Sequence, residues 1–209
     1  FDSSKLVGAQ AIQICQKDNA SSQRAGVILI REISDDSCIN LRLCVCGNVD
    51  AGKSTIIGVL STGEKDNGRG SARQKVFTHR HEQETGRTSS IAHRYIGFDL
   101  NGNPTNYTEG CRMVDSKHLL ISSSKVVSLY DLAGHERYLR TTLFGLASAK
   151  PDYAMVVVSA NNGIQKMTKE HICVCLALKI PFFIVITRID ATPENICNAT
   201  LETIEKLVR

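Results

Sequence analysis

The segment from Gly47 to Thr55 reads GNVDAGKST and constrains the fold more than any other stretch of this chain. An apolar run from Leu41 to Cys46 precedes it, and helix-forming residues from Ser54 to Leu60 follow it. This arrangement predicts a strand, a glycine-containing loop and a helix in direct succession. A glycine turn with an incidental Lys-Ser pair is the alternative, but it does not explain the flanking strand and helix patterns.

Each residue type in this loop has a chemical reason to be there. Glycines allow the backbone to wrap closely and aim its N–H groups at phosphate oxygens at the start of a helix. The lysine is placed to reach β- and γ-phosphates, and the serine hydroxyl is placed to bind Mg²⁺. The predicted nucleotide-binding residues here are Gly47, Asn48, Val49, Asp50, Ala51, Gly52, Lys53, Ser54 and Thr55.

Composition favours one globular domain with a substantial core, because 42% of the 209 residues are hydrophobic and 22% are charged. No apolar run approaches the ~20 residues of a membrane span, and the first ten residues do not resemble a signal peptide, so we expect no membrane partner.

The eight cysteines include no C-x-x-C pair, which favours a role as small buried hydrophobic residues over a role as zinc ligands. Unpaired cysteines are typical of the cytoplasm.

We expect an N-terminal extension at residues 1–23, polar and with one short helix, followed by a domain at residues 24–209. The apolar run Gly26 to Ile33 predicts a strand that forms an edge hairpin with the strand before the glycine loop. Gly63 to Gly70 predicts a loop, Ser71 to Glu84 a polar exposed helix, and Ile91 to Leu100 a strand. A turn then opens a surface insertion at residues 101–118.

Strands and helices alternate regularly in the second half of the chain. The predicted strands are Lys125 to Leu132, Tyr153 to Ala160 and Phe182 to Thr187, and the predicted helices are Arg137 to Leu146, Thr168 to Lys179 and Glu194 to Arg209. The last two strands are apolar on both faces, as expected between two helix layers. The fold class is therefore α/β: a P-loop nucleotide-binding domain with a mostly parallel, doubly wound sheet, an antiparallel edge hairpin and ligands at the carboxyl ends of strands.

A second cluster, Asp131-Leu132-Ala133-Gly134-His135, follows a buried strand. At a strand end the carboxylate of Asp131 can hold Mg²⁺, the Gly134 amide can contact a γ-phosphate, and His135 can orient an attacking water. An N-capping aspartate beside a surface histidine is the alternative. We predict His135 as the catalytic residue.

Two further clusters complete the predicted site. The hydroxyl-rich loop from Glu84 to Ser90 can close over γ-phosphate and Mg²⁺ with Thr88 as ligand, although a solvated loop is the better interpretation of these residues taken alone. Thr187-Arg188-Ile189-Asp190 ends a strand, and the Asp190 carboxylate can accept two hydrogen bonds from guanine that adenine cannot offer. The stem of Arg188 can cover one face of the base, and a helix-capping role for Asp190 is the alternative.

Together these motifs resemble the translational GTPases, the superfamily of elongation factors Tu and 1 alpha. The GTP-binding protein 1 and 2 subfamily is the most similar group, on Gly47 to Ala51, Asp66 to Gly70, Gly86 to Ser90 and Met167 to His171. The resemblance implies GTP and Mg²⁺ binding, hydrolysis to GDP, and ribosome and tRNA partners in elongation, rescue or mRNA turnover. It also implies phosphate or ion contacts for Asp50 and Thr55, and magnesium ligation by Ser54, Thr88 and Asp131.

Three departures from the family pattern limit this transfer. Thr187-Arg188-Ile189-Asp190 replaces the usual Asn-Lys-x-Asp, and Arg87 stands where elongation factors carry an isoleucine that screens the catalytic water. The base-backing Ser-Ala motif and the β-barrel domains of the family are absent, so we expect the domain to be incomplete at its C-terminal end.

Several alternatives stay open at this point. A GTP-gated scaffold that scarcely hydrolyses its nucleotide is favoured by Arg87, and another P-loop enzyme is the second rival. Oligomeric state does not follow from the sequence. Basic residues around the hydroxyl-rich loop form either an RNA-facing edge or a solvated surface: Arg69, Arg73, Lys75, Arg80, Arg87 and Arg94.

Overall fold

The computed structural model of the chain describes residues 9–18, 24–32, 39–108, 112–113 and 116–208. Its strands are β1 Ala9–Asp18, β2 Arg24–Glu32, β3 Ile39–Gly47, β4 Ala92–Phe98, β5 Tyr107–Thr108, β6 Arg112–Met113, β7 Lys125–Asp131, β8 Tyr153–Ser159 and β9 Phe182–Thr187. Its helices are α1 Lys53–Thr62, α2 Ser71–Gln74, α3 Arg80–Thr85, α4 Ser116–Ser122, α5 Leu139–Ala149, α6 Lys166–Ala177 and α7 Glu194–Val208. A 3-10 turn, Glu136–Tyr138, leads into α5.

Five of these strands form one sheet in the order β4-β7-β3-β8-β9. All neighbours are parallel except β4, which runs antiparallel to β7 at the edge. The glycine loop starts at the end of the central strand β3, where Val45 lies opposite Asp131 of β7 and Met155 of β8. The predicted α/β class with a mostly parallel sheet is confirmed.

The second half of β3 is buried on both faces, as a strand between two helix layers requires. Cys44 and Cys46 belong to one core cluster with Ile172 and Cys175 of α6. Val45, between them, belongs to the other cluster, where Ile57 of α1 packs. Among cysteines whose side chains are described, four are buried and Cys173 is exposed, and all five are free.

The predicted edge hairpin is wrong in its pairing. β2 pairs with β1, from Ala9 opposite Glu32 to Asp18 opposite Arg24, whereas β3 pairs with β7 and β8. A strand that is apolar on both faces belongs at the centre of a sheet, where two neighbours satisfy its backbone. The antiparallel edge strand of the five-stranded sheet is β4 instead. The short helix expected in residues 1–23 is replaced, within the described part, by β1, and the domain boundary at residue 24 stays a prediction.

Residues 71–84 form two short helices instead of the predicted exposed one. Val76 and Phe77, between α2 and α3, are buried, so the packing of these side chains in the core interrupts the helix there. The loop at residues 63–70 and the strand near residues 91–100 are confirmed, as is the alternation of strands and helices from β7 to α7.

The predicted surface insertion at residues 101–118 is anchored by Asn106, which is only 4% exposed. Its side-chain amide donates to the carbonyl oxygens of Tyr95 (2.6 Å) and Ser61 (3.2 Å) and accepts from Gly97 N (2.7 Å). Residues 109–111 and 114–115 lie outside the described part. Among the described residues, no helix has the length and apolar character needed to cross a membrane.

Candidate functional site

The loop that joins β3 to α1 takes backbone conformations that favour glycine at two positions. Gly47 has φ +138°, and a Cβ there would lie 2.3 Å from the carbonyl oxygen of Val157. Gly52 has φ +92° and precedes α1 without any side chain to cap the helix. The first N–H groups of α1 therefore have no side-chain acceptor, which is the arrangement that binds anions at a helix start.

Lys53 lies at the base of this loop and is only 6% exposed. Its Nζ donates to the carbonyl oxygen of Asn48 at 2.7 Å. Burial lowers the pKa of Lys53, while the carboxylate of Asp131 acts in the opposite direction. A Cβ on Gly134 would lie 2.4 Å from this Nζ, so the predicted second cluster packs directly on the loop.

Three polar side chains from separate segments meet beside Lys53. The Ser54 hydroxyl donates to Asp131 Oδ2 at 2.5 Å, and its oxygen lies 3.0 Å from Thr88 Oγ1. Thr88 Oγ1 donates to the same carboxylate oxygen at 3.4 Å. We call Ser54, Thr88 and Asp131 the oxygen cluster; the predicted metal ligands are thus brought together.

Asp131 is fully buried, and among the described residues its second carboxylate oxygen, Oδ1, has no hydrogen-bond partner. Burial raises the pKa of Asp131 to about 6, against the opposing charge of Lys53. A buried carboxylate oxygen without a donor, beside two hydroxyls, fits a hard divalent cation. The described residues hold no group of three or more His, Cys, Asp or Glu side chains suited to a metal, and Mg²⁺ characteristically takes only one or two carboxylates and completes its shell with waters and phosphates.

Glu82 of α3 holds the loop that carries Thr88, and the sequence analysis missed this role. The side chain is fully buried. Its Oε1 accepts hydrogen bonds from the backbone N and the hydroxyl of both Ser89 and Ser90, at 2.7–2.9 Å. Its Oε2 accepts from the backbone N of Thr78 and His79, each at 3.1 Å. Burial by itself would raise the pKa of Glu82, but these hydrogen bonds lower it to about 2.

His135, the predicted catalytic residue, lines the cavity next to Gly134. Its Nδ1 accepts from the backbone N of Arg137 at 3.1 Å, so Nε2 carries the proton when the ring is neutral. The Thr142 hydroxyl donates to the Ala133 carbonyl oxygen at 2.7 Å and fixes the preceding loop from α5.

His171 of α6 supports the glycine loop from behind and was also missed. Its Nδ1 accepts from Gly47 N at 3.1 Å, and its Nε2 is buried without a partner. Burial lowers the pKa of His171 to about 4, with the charge of Lys53 acting in the same direction. A neutral imidazole therefore anchors the junction of strand and loop. The motif Met167 to His171 contributed only to the family resemblance at the sequence level.

The segment after β9 reaches the loop through Thr187, whose hydroxyl donates to the Ala51 carbonyl oxygen at 2.8 Å. Arg188 has φ +58° and lines the cavity. Asp190 is exposed and does not line it, so its role in base recognition stays a prediction.

The cavity enclosed by these segments has a volume of about 510 Å³, including space open to solvent. Its side chains include four cationic groups and one carboxylate, Asp50, so it suits a polyanion. Two of the cationic groups, Arg73 and Arg87, belong to the basic set for which the sequence leaves open an RNA-facing edge or a solvated surface. Arg94 of the same set donates to the carbonyl oxygens of Lys75 and Val76. The lining residues are Val49, Asp50, Gly52, Lys53, Ser54, Thr55, Arg73, Gly86, Arg87, Thr88, Gly134, His135 and Arg188.

Comparison with known families agrees with this geometry. The family model described as the elongation factor Tu GTP binding domain matches residues 39–209. The chain belongs to this family. The domain is 43% identical over 202 residues to GTP-binding protein 1 of Xenopus laevis, covering 96% of this chain and 31% of that protein. It is 44% identical over 193 residues to GTP-binding protein 2 of Homo sapiens, covering 92% of this chain and 32% of that protein. The resemblance inferred from the motifs is confirmed.

The domain thus spans about a third of the length of these curated relatives. Solved structures with the same fold include a bacterial selenocysteine-specific elongation factor EF-Sec, with a TM-score of 0.55 and 22% identity over 79% of this chain and 23% of that one. Elongation factor SelB of Methanococcus maripaludis, in complex with the GTP analogue GPPNHP, has a TM-score of 0.54 and 21% identity over 83% of this chain and 27% of that one.

Glu82→Gln should destabilise the fold at neutral pH by about 1–3 kcal/mol, since a neutral amide cannot accept from all six donors. The folded pKa of Glu82, about 2, lies below its ordinary value of 4.5. Its stabilising contribution is therefore complete above pH 4.5 and is lost as the pH falls toward 2. Urea denaturation at a series of pH values should show that this acid-sensitive part is missing from the variant.

Glu84→Gln is the matched control, because Glu84 lies on the same helix, is exposed and, within the described part of the chain, pairs only with Arg80 at 3.6 Å. Its unfolding midpoint should follow that of the wild type at every pH. Identical profiles for the two variants would contradict the role of Glu82.

Proposed function

We propose that the domain binds GTP and GDP with Mg²⁺, hydrolyses GTP, and acts as a switch in translation. The observation that carries this proposal is the oxygen cluster: three segments distant in sequence converge on one buried carboxylate beside Lys53. A purely structural role would leave the second oxygen of Asp131 buried without a partner among the described residues, whereas a nucleotide-associated cation or its bound water would give it one.

In this proposal the backbone N–H groups at the start of α1 bind the phosphate chain, together with Lys53. Ser54, Thr88 and Asp131 hold magnesium, which neutralises charge on the phosphates when bound. Thr88 lies on a loop that Glu82 of α3 holds through hydrogen bonds to Ser89 and Ser90. Binding of Thr88 at the magnesium and γ-phosphate is therefore coupled to the position of α3. Asp190 selects guanine by accepting from its N1–H and amino group.

Hydrolysis is assigned to the segment after β7. The Nε2–H of His135 has no hydrogen-bond partner among the described residues and can donate to a water or to a γ-phosphate oxygen. Arg87, exposed at the rim of the cavity, has no carboxylate partner in the described part of the chain. We propose that it swings toward the γ-phosphate and stabilises negative charge in the transition state.

Ribosome and tRNA partners are part of the proposal because the family and the solved neighbours are translation factors. Phosphate release by the full-length protein should therefore accelerate with ribosomes. The alternative of a GTP-gated scaffold predicts a slow rate of phosphate release that ribosomes leave unchanged. Arg87 favours this alternative, because it replaces the isoleucine that screens the catalytic water in elongation factors. A cytoplasmic setting is proposed from the unpaired cysteines of the sequence.

A different P-loop enzyme is the second alternative, since the chain is 28% identical over 153 residues to sulfate adenylyltransferase subunit 1 of Rhizobium tropici. That match covers 73% of this chain and is weaker than the match to the GTP-binding proteins. Competition of ATP and GTP for a labelled guanine nucleotide distinguishes a guanine site from an adenine site.

His135→Ala should leave GTP affinity nearly unchanged and lower single-turnover hydrolysis by about 10²-fold or more, the usual contribution of a positioned proton donor or acceptor. Calorimetry measures the affinity, and rapid-mixing phosphate release measures the rate. His118→Ala, which changes an exposed histidine of α4, serves as the control. Loss of affinity and of hydrolysis in equal proportion would show that His135 is structural.

Arg87→Ala should lower the single-turnover rate, with an upper range of about 10³- to 10⁵-fold known for arginines that act on a γ-phosphate. Arg80→Ala removes an equal charge from an exposed position on α3 and should have little effect. An unchanged rate for Arg87→Ala would leave this residue without a catalytic part.

A further inference from the structure

Arg73 of α2 lines the cavity together with Lys53, Ser54 and Thr88. Its side chain is half-buried, and none of the hydrogen bonds or ion pairs of the described residues involves its guanidinium. Neighbouring basic side chains differ, because Lys75 pairs with Glu64 and Arg80 pairs with Glu84. Arg73 therefore keeps its donors available at the wall of the cavity.

Two glycines shape the place that this side chain occupies. A Cβ on Gly70 would lie 2.4 Å from Arg73 Nε, and a Cβ on Gly86 would lie 3.4 Å from Arg73 Nη2. The guanidinium thus lies against the backbone of Gly70 on one side and approaches Gly86 on the other. Gly86 stands two residues before Thr88, so Arg73 reaches the cavity from the side of the loop that carries Thr88.

The start of α2 is fixed by Asp66, which limits the freedom of Arg73 further. The Asp66 carboxylate accepts from the backbone N of Ala72 (2.8 Å), Gly68 (3.0 Å) and Gly70 (3.4 Å), and from the Ser71 hydroxyl (3.2 Å). These hydrogen bonds, that from Ala72 foremost, lower the pKa of Asp66. Because all its described contacts are with this loop, Asp66 holds the backbone that presents Arg73 and does not pair with its guanidinium.

We propose that Arg73 is a phosphate-binding residue of this site, which donates to the polyphosphate chain of the nucleotide from the side of Gly86 and Thr88. The inference rests on the proposed function in assuming a nucleoside triphosphate as ligand. A planar guanidinium offers paired donors that match two phosphate oxygens, which a lysine ammonium cannot reproduce. With Lys53 it clamps the phosphate chain between α1 and the segment 71–90, so that binding links these two parts of the domain.

Calorimetric titration of the whole chain with GTP and, separately, with inorganic tripolyphosphate tests this inference. Arg73→Ala should weaken both by about 10- to 100-fold, the usual range for charge-assisted hydrogen bonds. Arg73→Lys should lie between the wild type and Arg73→Ala, because it keeps the charge without the planar fork. Arg69→Ala is the matched control: Arg69 is exposed on the loop that precedes α2, outside the cavity, and the substitution removes the same charge.

Salt dependence supplies a readout that a purely structural role would not change. The decrease in tripolyphosphate affinity with rising salt should be shallower for Arg73→Ala than for Arg69→Ala, because one direct charge contact is missing. Urea denaturation identifies variants that fail to fold, and Arg73→Lys takes the place of Arg73→Ala if the alanine variant is one of them.

Affinities and salt slopes equal to those of Arg69→Ala would overturn the proposal, and so would a wild type that binds neither ligand. That second outcome would overturn the proposed function as well, whereas equal variant affinities in a wild type that binds tripolyphosphate would overturn only the role of Arg73. If the wild type binds tripolyphosphate but takes ATP as tightly as GTP, the guanine assignment fails while the comparison of variants still decides the role of Arg73.

Discussion

The site depends on the burial of one carboxylate, Asp131, at the carboxyl end of β7. Taking a carboxylate out of water is unfavourable unless other groups compensate, and here Lys53 and the hydroxyls of Ser54 and Thr88 do so only for part of the side chain. The second oxygen has no donor. Parallel pairing of β3 with β7 brings this carboxylate to the glycine loop, so the sheet topology and the chemistry of the site have one cause.

A second constraint concerns the segment between α1 and β4, which has little regular structure and yet supplies the cavity with Arg73, Arg87 and Thr88. Two carboxylates organise it. The Asp66 carboxylate accepts hydrogen bonds from backbone amides at the start of α2, and the Glu82 carboxylate accepts hydrogen bonds from amides and hydroxyls on both sides of α3. Because Ser89 directly follows Thr88, movement of that loop requires the hydrogen bonds of Glu82 to change, which is a physical basis for a switch.

Sequence reasoning placed Asp131 beside the glycine loop because both follow strands of one parallel sheet, whereas it took Ser54 from the loop motif and Thr88 from its position between α1 and the next strand. It failed where partners are chosen by tertiary contacts. The apolar run of β2 does not reveal that its partner is β1, and Val76 and Phe77 break the predicted helix only because a core is there to receive them. Glu82 and Arg73 belong to a polar stretch typical of a solvated surface. Their roles emerge only when the chain folds back on α1.

The most direct test of the central claim is the affinity of a non-hydrolysable GTP analogue in magnesium and in EDTA, for the wild type, Thr88→Ala and the control Thr85→Ala. Magnesium should strengthen analogue binding by the wild type and by Thr85→Ala, whose hydroxyl bonds to the His81 carbonyl oxygen instead of the cluster. Thr88→Ala should lose much of that gain. An affinity of the wild type that is the same with and without magnesium would contradict the assignment of Ser54, Thr88 and Asp131 as the site of a nucleotide-associated cation.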